Sequence, residues 1–295
     1  MKKILVVGSL NMDMVTKVET TPKVGETVPG DGLELIPGGK GANQAVGLGK
    51  LGADVEMIGV VGNDANGEIL KSTLNEMNVK SDRILVSDQA TGVALIMVNA
   101  SGDNSIVVIP GANGELEVDH VSDEWFEDVE LVVCQLESPL ETIEAVFEIA
   151  HKKGIKTVLN PAPAKVLSNR LLSNVDLLIP NETEFESLTG VEIQTEDDFR
   201  KGYRVLNELG ISEVIVTLGS RGAWYYDGKE VISVAAHKVN AIDTTAAGDS
   251  FIAGVCDSLA RGLSIKESLE MGNRVAAVTV TRFGAQSSLP FRHEL

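Results

Sequence analysis

ILVVGSLNMD, residues 4–13, sets four apolar residues in a row and then turns polar at Gly8, Asn11 and Asp13. A strand with one wet face alternates; a strand apolar at every position is covered on both faces, as in a parallel sheet. The same design recurs at Val55–Val61, Leu131–Gln135, Thr157–Leu159, Leu177–Ile179 and Val214–Thr217, with helical patterns between the runs. Strands alternating with helices predict an α/β fold.

The places where these runs stop carry more information than the runs. They end at Glu137-Ser138, Asn160-Pro161, Pro180-Asn181-Glu182-Thr183-Glu184 and Thr217-Leu218-Gly219-Ser220-Arg221-Gly222. Ligands of open α/β sheets bind outside the carboxyl ends of the strands. Glycines, carboxylates, amides and hydroxyls at successive strand ends therefore predict one shared crevice.

One region interrupts the alternation. Thr91–Asn99 and Asn104–Ile109 flank Ala100-Ser101-Gly102-Asp103, a hairpin pattern, and with Val28–Ile36 they predict a small separate sheet. Gly92–Val98 is apolar at both parities, so such a sheet leaves an uncovered apolar face for which a partner subunit is the economical cover.

Composition narrows the function classes. The 295 residues suffice for one large core or a main body with an appendage, and 43% hydrophobic with 23% charged residues is ordinary for a soluble globular chain. A net charge of −18, from 43 acids against 25 bases, disfavours a broad phosphate-backbone footprint, so no nucleic-acid partner is expected. Met1-Lys2-Lys3 before the first run resembles a secretory leader, but Gly8, Asn11 and Asp13 interrupt it, and no run approaches membrane-spanning length. Cys134 and Cys256 lie far apart in apolar segments and read as buried free thiols, which points to a cytoplasmic address. His120, His151, His237 and His293 have no metal-ligand spacing. Gly47-Leu48-Gly49-Lys50-Leu51-Gly52 matches GxGxxG but follows a helical stretch, so helix packing and a C-terminal stop explain it better than a dinucleotide site.

Two stretches carry chemistry. Gly38-Gly39-Lys40-Gly41-Ala42-Asn43-Gln44 is a glycine-rich turn with a cation and an amide at the mouth of a helix, suited to a small polyhydroxylated molecule. Asp243-Thr244-Thr245-Ala246-Ala247-Gly248-Asp249-Ser250 places a carboxylate behind three small residues at a helix start. Complementing the helix dipole, worth roughly 0.3–1 kcal/mol, accounts for Asp249 alone. It does not account for Ala246, Ala247 and Gly248, which cap poorly but let a ligand reach backbone N–H groups. Together they set a carboxylate beside backbone donors that would attract negative charge.

With Gly38–Ala45 and Asp243–Asp249 quoted, the chain from Val7 to Gln286 resembles the ribokinase-like (PfkB) carbohydrate kinase family. The resemblance implies one domain over 1–295: a three-layer sandwich with a central, mostly parallel sheet flanked by helices, and a β lid formed by about 12–38 and 91–110. It implies transfer of a phosphoryl group from ATP to the 5-hydroxyl of D-ribose, with deoxyribose or another sugar or nucleoside as the alternative acceptor. In that reading Asp249 is the general base and the Ala246, Ala247 and Gly248 amides form an anion hole. Asn11, Asp13, Gly39, Lys40, Asn43 and Glu137 hold the sugar. Asn181 and Glu184 face the phosphates and a Mg²⁺ bound through water, and Thr217, Leu218, Gly219, Ser220, Arg221, Gly222, Gly248 and Asn273 hold the nucleotide. The resemblance further implies a K⁺ site from Asp243, Thr245, Thr279, Arg282, Gly284 and Ser288, and a homodimer through the lid. Ala246 stands where the wider family often has glycine.

Overall fold

The first strand organises the molecule. In β1 (Lys3–Val7), Ile4 and Val6 point to one face and Leu5 and Val7 to the other, and each pair joins a different apolar core. The computed structural model describes residues 2–295. β1 leads to β2 (Asn11–Val18), β3 (Gly30–Gly38) and helix α1 (Lys40–Lys50). β4 (Val55–Ile58), β5 (Val60–Gly62), α2 (Ala65–Glu76), β6 (Val79–Lys80), β7 (Leu85–Ser87), β8 (Gly92–Val98) and β9 (Asn104–Ile109) follow. The second half runs through β10 (Val129–Cys134), α3 (Leu140–Lys152), β11 (Lys156–Leu159), α4 (Asn169–Leu172), β12 (Leu177–Leu178), α5 (Glu182–Thr189) and α6 (Glu196–Glu208). It closes with β13 (Glu213–Thr217), β14 (Ala223–Tyr226), β15 (Val231–Val234), α7 (Ala247–Ala260) and α8 (Ile265–Thr279).

The nine-stranded sheet has the order β15-β14-β13-β12-β11-β10-β1-β4-β6. It is parallel from β13 to β6, and β14 and β15 add antiparallel. Residues of α1, α2, α7 and α8 share one core, and residues of α3, α4, α5 and α6 the other, so the α/β sandwich has three layers. From β1 the order runs to β4 on one side and to β10 on the other. That reversal opens the crevice in which such sheets bind ligands.

The structure corrects the run Val55–Val61, which is two strands. β4 belongs to the large sheet, whereas β5 pairs with β7 in a two-stranded sheet. The break falls at Gly59, where an added Cβ would stand 2.4 Å from Leu10 Cδ1 and 2.6 Å from the Gly8 carbonyl oxygen. The third sheet has four strands in the order β3-β2-β8-β9. β8 and β9 form the anticipated hairpin, while β2 separates it from β3 and brings Asn11 and Asp13 into the sheet.

Both cysteines are buried free thiols. Among the described residues no helix is long and apolar enough to cross a membrane. Gly47 packs against Ala253 of α7 and Gly49 against the Met77 carbonyl, the helix-packing use expected for that glycine run. The closing segment is tied inward. Buried Asp257 on α7 accepts from Arg261 Nε (3.0 Å to each oxygen) and from Arg292, and Lys50 at the end of α1 donates to the Gln286 and Leu289 carbonyls (2.8 Å each).

Candidate active site

Two glycine-rich turns feed two helices toward one point. Gly39 caps α1 at φ 91°, a left-handed conformation, and an added Cβ would lie 2.7 Å from the Asn11 nitrogen. Only glycine meets both conditions, so the turn brings Lys40 and Asn43 against the end of β1. α7 is capped by Ala246 at φ 57°, left-handed for a residue with a side chain, and no side chain caps its N-terminus. Such a conformation costs of order 1 kcal/mol or more and persists where surroundings over-determine it.

Asp249 is buried in the first turn of α7. Asn43 Nδ2 donates to its Oδ2 at 3.0 Å and Gln44 Nε2 to its Oδ1 at 2.9 Å. Burial raises its pKa above the ordinary carboxylate value, opposed first by Lys40 and then by the Gln44 and Asn43 hydrogen bonds. Burial also depresses the Lys40 ammonium, but Asp249, then Glu137, Glu184 and Asp13 outweigh it and hold the lysine above its usual value. One cation thus stands among four carboxylates, an arrangement with room for further positive charge.

Glu137, after β10, accepts from Ser9 Oγ and from the Lys40 backbone N–H (3.1 Å), linking the ends of β1 and β10. Asp13 on β2 is raised from 3.8 to about 7, by burial first and then by Glu137 and Asp249. Asn11 is fixed by Asn113, whose Nδ2 donates to Asn11 Oδ1 (2.8 Å) while its Oδ1 accepts from the Leu10 N–H (2.8 Å). The Oδ1 of Asn43 is buried without a protein partner.

Two cavities meet beside Asp249. A space of about 220 Å³ is lined by Lys40, Asn160, Asn181, Glu184, Thr217 and the turn Ala246–Asp249. A second, of about 500 Å³, is walled by Phe251, Ala276, Ala277, Val280 and Val239, with Thr217, Gly219, Ser220, Gly222 and Asn273 also lining it. Thr217, Thr244, Ala247 and Gly248 line both, so the cavities adjoin at the start of α7.

Asn181 and Glu184 form a capping box on α5. Glu184 accepts from the Asn181 N–H (2.9 Å) and Nδ2 (3.0 Å), and Asn181 Oδ1 accepts from the Glu184 N–H (2.8 Å). Burial raises the Glu184 pKa, against the Asn181 backbone bond and Lys40. The loop after β13 divides: Leu218 packs into the core, and the Arg221 guanidinium turns to Glu182 and the Ile193 carbonyl. Neither of these two expected nucleotide residues lines a cavity. Asn273 Nδ2 donates to the Val234 and Ala235 carbonyls (3.0 and 3.2 Å), fixing the wall it helps to form. The Ala247 N–H reaches the Thr244 carbonyl at 3.2 Å, a turn bond within the expected anion hole.

Asp243 joins two loops. Its Oδ1 accepts from the Thr245 N–H (2.9 Å) and Oγ1 (2.6 Å), and its Oδ2 from the Gly284 N–H (2.9 Å). Thr279 Oγ1 donates to the Val275 carbonyl, Ser288 Oγ to the Ala285 carbonyl, and the Arg282 guanidinium to Glu294. These side chains are thus engaged within the protein, although the Asp243 carboxylate and the donating Ser288 hydroxyl keep lone pairs. Among the described residues no group of three or more His, Cys, Asp or Glu could hold a metal directly.

Sequence reading assigned no role to Gln44, Gln135, Asn113, Ser9 or Asn160, all of which the structure places around Asp249, Glu137 and Asn11. Gln44 and Asn160 stood in stretches already singled out. Asn113 lies in Pro110-Gly111-Ala112-Asn113-Gly114, which is indistinguishable from an ordinary turn.

A family model described as pfkB family carbohydrate kinase matches residues 1–292. The chain is 42% identical to a ribokinase of Haemophilus influenzae, over 99% of this chain and 97% of that one. It is 37% identical to a deoxyribokinase of Salmonella typhi, over 97% of this chain and 95% of that one. A solved structure of Arabidopsis thaliana ribokinase complexed with ribose and ATP is similar with a TM-score of 0.94 and 32% identity, covering 99% of this chain and 96% of that one.

Proposed function

The chain belongs to the pfkB family of carbohydrate kinases, and from that premise we propose that it transfers the terminal phosphoryl group of ATP to the 5-hydroxyl of D-ribose, yielding ribose 5-phosphate and ADP. The observation that carries this reading is the place of Asp249: a buried carboxylate with its pKa raised, next to the meeting of two cavities and fixed by Asn43 and Gln44. A raised carboxylate is the better base near neutral pH.

In this reading Asp249 takes the proton of the sugar hydroxyl as its oxygen bonds to phosphorus and the bond to ADP breaks. The Gly248 and neighbouring amides at the start of α7 face the negative charge that develops on the transferred group, and Lys40 balances it. Asn11, Asp13, Gly39, Asn43 and Glu137 orient the sugar, with the unpartnered Asn43 Oδ1 as a ready acceptor for a sugar hydroxyl. The apolar walls Phe251, Ala276, Ala277 and Val280 suit a nucleobase, in a space within the roughly 300–1,000 Å³ range of ligand pockets. The small sheet serves as a lid over the sugar within a single kinase domain.

Mg²⁺ suits the site as an ion that arrives with the nucleotide. Glu184 already accepts from Asn181 through both oxygens, so its remaining lone pairs can hold metal-bound water, and Mg²⁺ characteristically keeps its waters. When bound, Mg²⁺ neutralises charge on the transferring phosphates. K⁺ would lie between the Asp243–Thr245 turn and the 279–288 segment, held mainly by carbonyls. Two buried thiols accord with a reducing, cytoplasmic setting.

The 37% identity to a deoxyribokinase keeps deoxyribose as the second reading. ADP release measured over ribose, deoxyribose, fructose and adenosine separates the readings, and a preference for anything but ribose overturns the first. Asp249→Asn lowers turnover by about 10²–10⁴-fold with ribose binding retained; near-normal turnover would show that the proton leaves by another route.

A further inference from the structure

We propose that Gln44, anchored at its carbonyl end by Gln135, is a positioning residue that orients Asp249 and keeps it ionised for proton abstraction, which rests on the phosphoryl-transfer reading above. Gln44 is completely buried on α1. Its Nε2 donates to Asp249 Oδ1 (2.9 Å) and to Asn160 Oδ1 (3.3 Å), and its Oε1 accepts from Gln135 Nε2 (2.6 Å).

The direction of this chain follows from chemistry. A carboxylate only accepts, and Asn160 has committed its own amide nitrogen to the Ile179 carbonyl (3.1 Å), so both groups require a donor from Gln44. Gln44 must therefore turn its carbonyl to Gln135, whose amide nitrogen must donate. The remaining atom of the chain, Gln135 Oε1, is buried without a partner. It lies where a Cβ on Gly8 would be, 2.2 Å away, so glycine at the end of β1 makes room for it. Leaving a buried oxygen unpaired is costly, yet an apolar residue at 135 would only move that cost to Gln44 Oε1, which would lose its donor. What the orphaned oxygen accompanies is a fixed orientation of Gln44, and through it of Asp249.

The charged groups acting on Asp249 are Lys40 on α1, Glu137 after β10, Asp13 on β2 and Glu184 on α5. Of these only Lys40 favours the anion. The Gln44 and Asn43 amides supply the rest of the opposition to burial.

The test uses Gln44→Met, which keeps length and removes the donor, and Gln135→Met, which keeps the Gln44 donor but frees its other end. Titration of the Asp249 carboxyl carbon by ¹³C NMR in the free protein, assigned with Asp249→Asn, should show a midpoint about one pH unit higher in Gln44→Met, since a hydrogen bond to a charged group is of that size. Gln135→Met should show a smaller shift in the same direction. The acid limb of kcat with ribose should move up in parallel, with KM for ribose changed less than twofold. Midpoints equal to that of the unsubstituted protein overturn the proposal, and so does a loss of kcat without a shifted limb. The NMR titration needs no turnover, so failure of ribose as substrate and failure of the positioning role are separate results. Should Gln44→Met not fold, Gln135→Met alone decides.

Discussion

Half-buried Asp13 and buried Asp249 act on each other's charge, and they differ in what surrounds them. Asp249 has two amide donors and Lys40 to offset burial, whereas burial, Glu137 and Asp249 all push Asp13 up, with Lys40 alone opposing, to about 7. Because the folded value lies above the ordinary 3.8, the folded chain holds a proton that the unfolded chain releases between these pH values. This contribution to stability is therefore lost as pH rises from about 4 through about 7. In the proposed site sugar hydroxyls would donate to the ionised form of Asp13, so ribose binding below pH 7 should expel the proton. Calorimetry at pH 6.5 in buffers of different ionisation enthalpy should show proton release, absent in Asp13→Asn; buffer-independent heats would refute the assignment. At this scale Asp249, Lys40 and Asn43 were legible from residue type and neighbours. Gln44, Gln135 and Asn113 were not, because their partners lie 91 to 205 residues away and only folding brings them near. The left-handed backbone of Ala246 has no sequence signature at all, since alanine rarely adopts it.

Elements were more legible than their ends. Doubly apolar runs announced the parallel strands, because burial on both faces leaves no room for polarity, and a turn between two apolar runs announced β8 and the largely exposed β9. The split between β4 and β5 was hidden, since the cause is the approach of Leu10 and Gly8 to Gly59, a tertiary event. Asn181-x-x-Glu184 shows how one element serves two readings: its spacing is that of a capping box, and the structure uses it as one while directing it into the smaller cavity. The Asp243 turn and the 279–288 segment pose the same question for K⁺. Asp243 holds Thr245 and Gly284 in place, directly before the Ala246–Gly248 turn, so an ion ordered on these carbonyls would steady the amides of the anion hole. With Mg²⁺-ATP and ribose, turnover should rise several-fold when K⁺ replaces a bulky organic cation, and Asp243→Ala should flatten the response. Equal rates at matched ionic strength would remove the ion from the mechanism.

For the whole molecule, the small sheet is the part least explained by one chain. Ile106, Val107, Val108 and Ile109 of edge strand β9 are each about half exposed, on both faces, and Leu33, Leu35 and Leu95 extend the apolar surface. Exposed apolar area of this kind calls for cover. A second copy of the chain is the expected cover, so light scattering should report a dimer that Val107→Lys shifts toward monomer; a monomer at micromolar concentration would dismiss it. The tied closing segment has a consequence of another kind, in the order of synthesis. α1 is made before its packing partner α7, and Lys50 precedes the carbonyls that receive it, at Gln286 and Leu289, by 236 and 239 residues. Chains fold as they leave the ribosome, N-terminal parts first. Before α7 is made, α1 can pack only on its early neighbours β1, β4, β6 and α2, and Asn43 and Gln44 have no aspartate to meet. A chain cut before α7 should therefore lack turnover and expose the side of α1 that α7 covers.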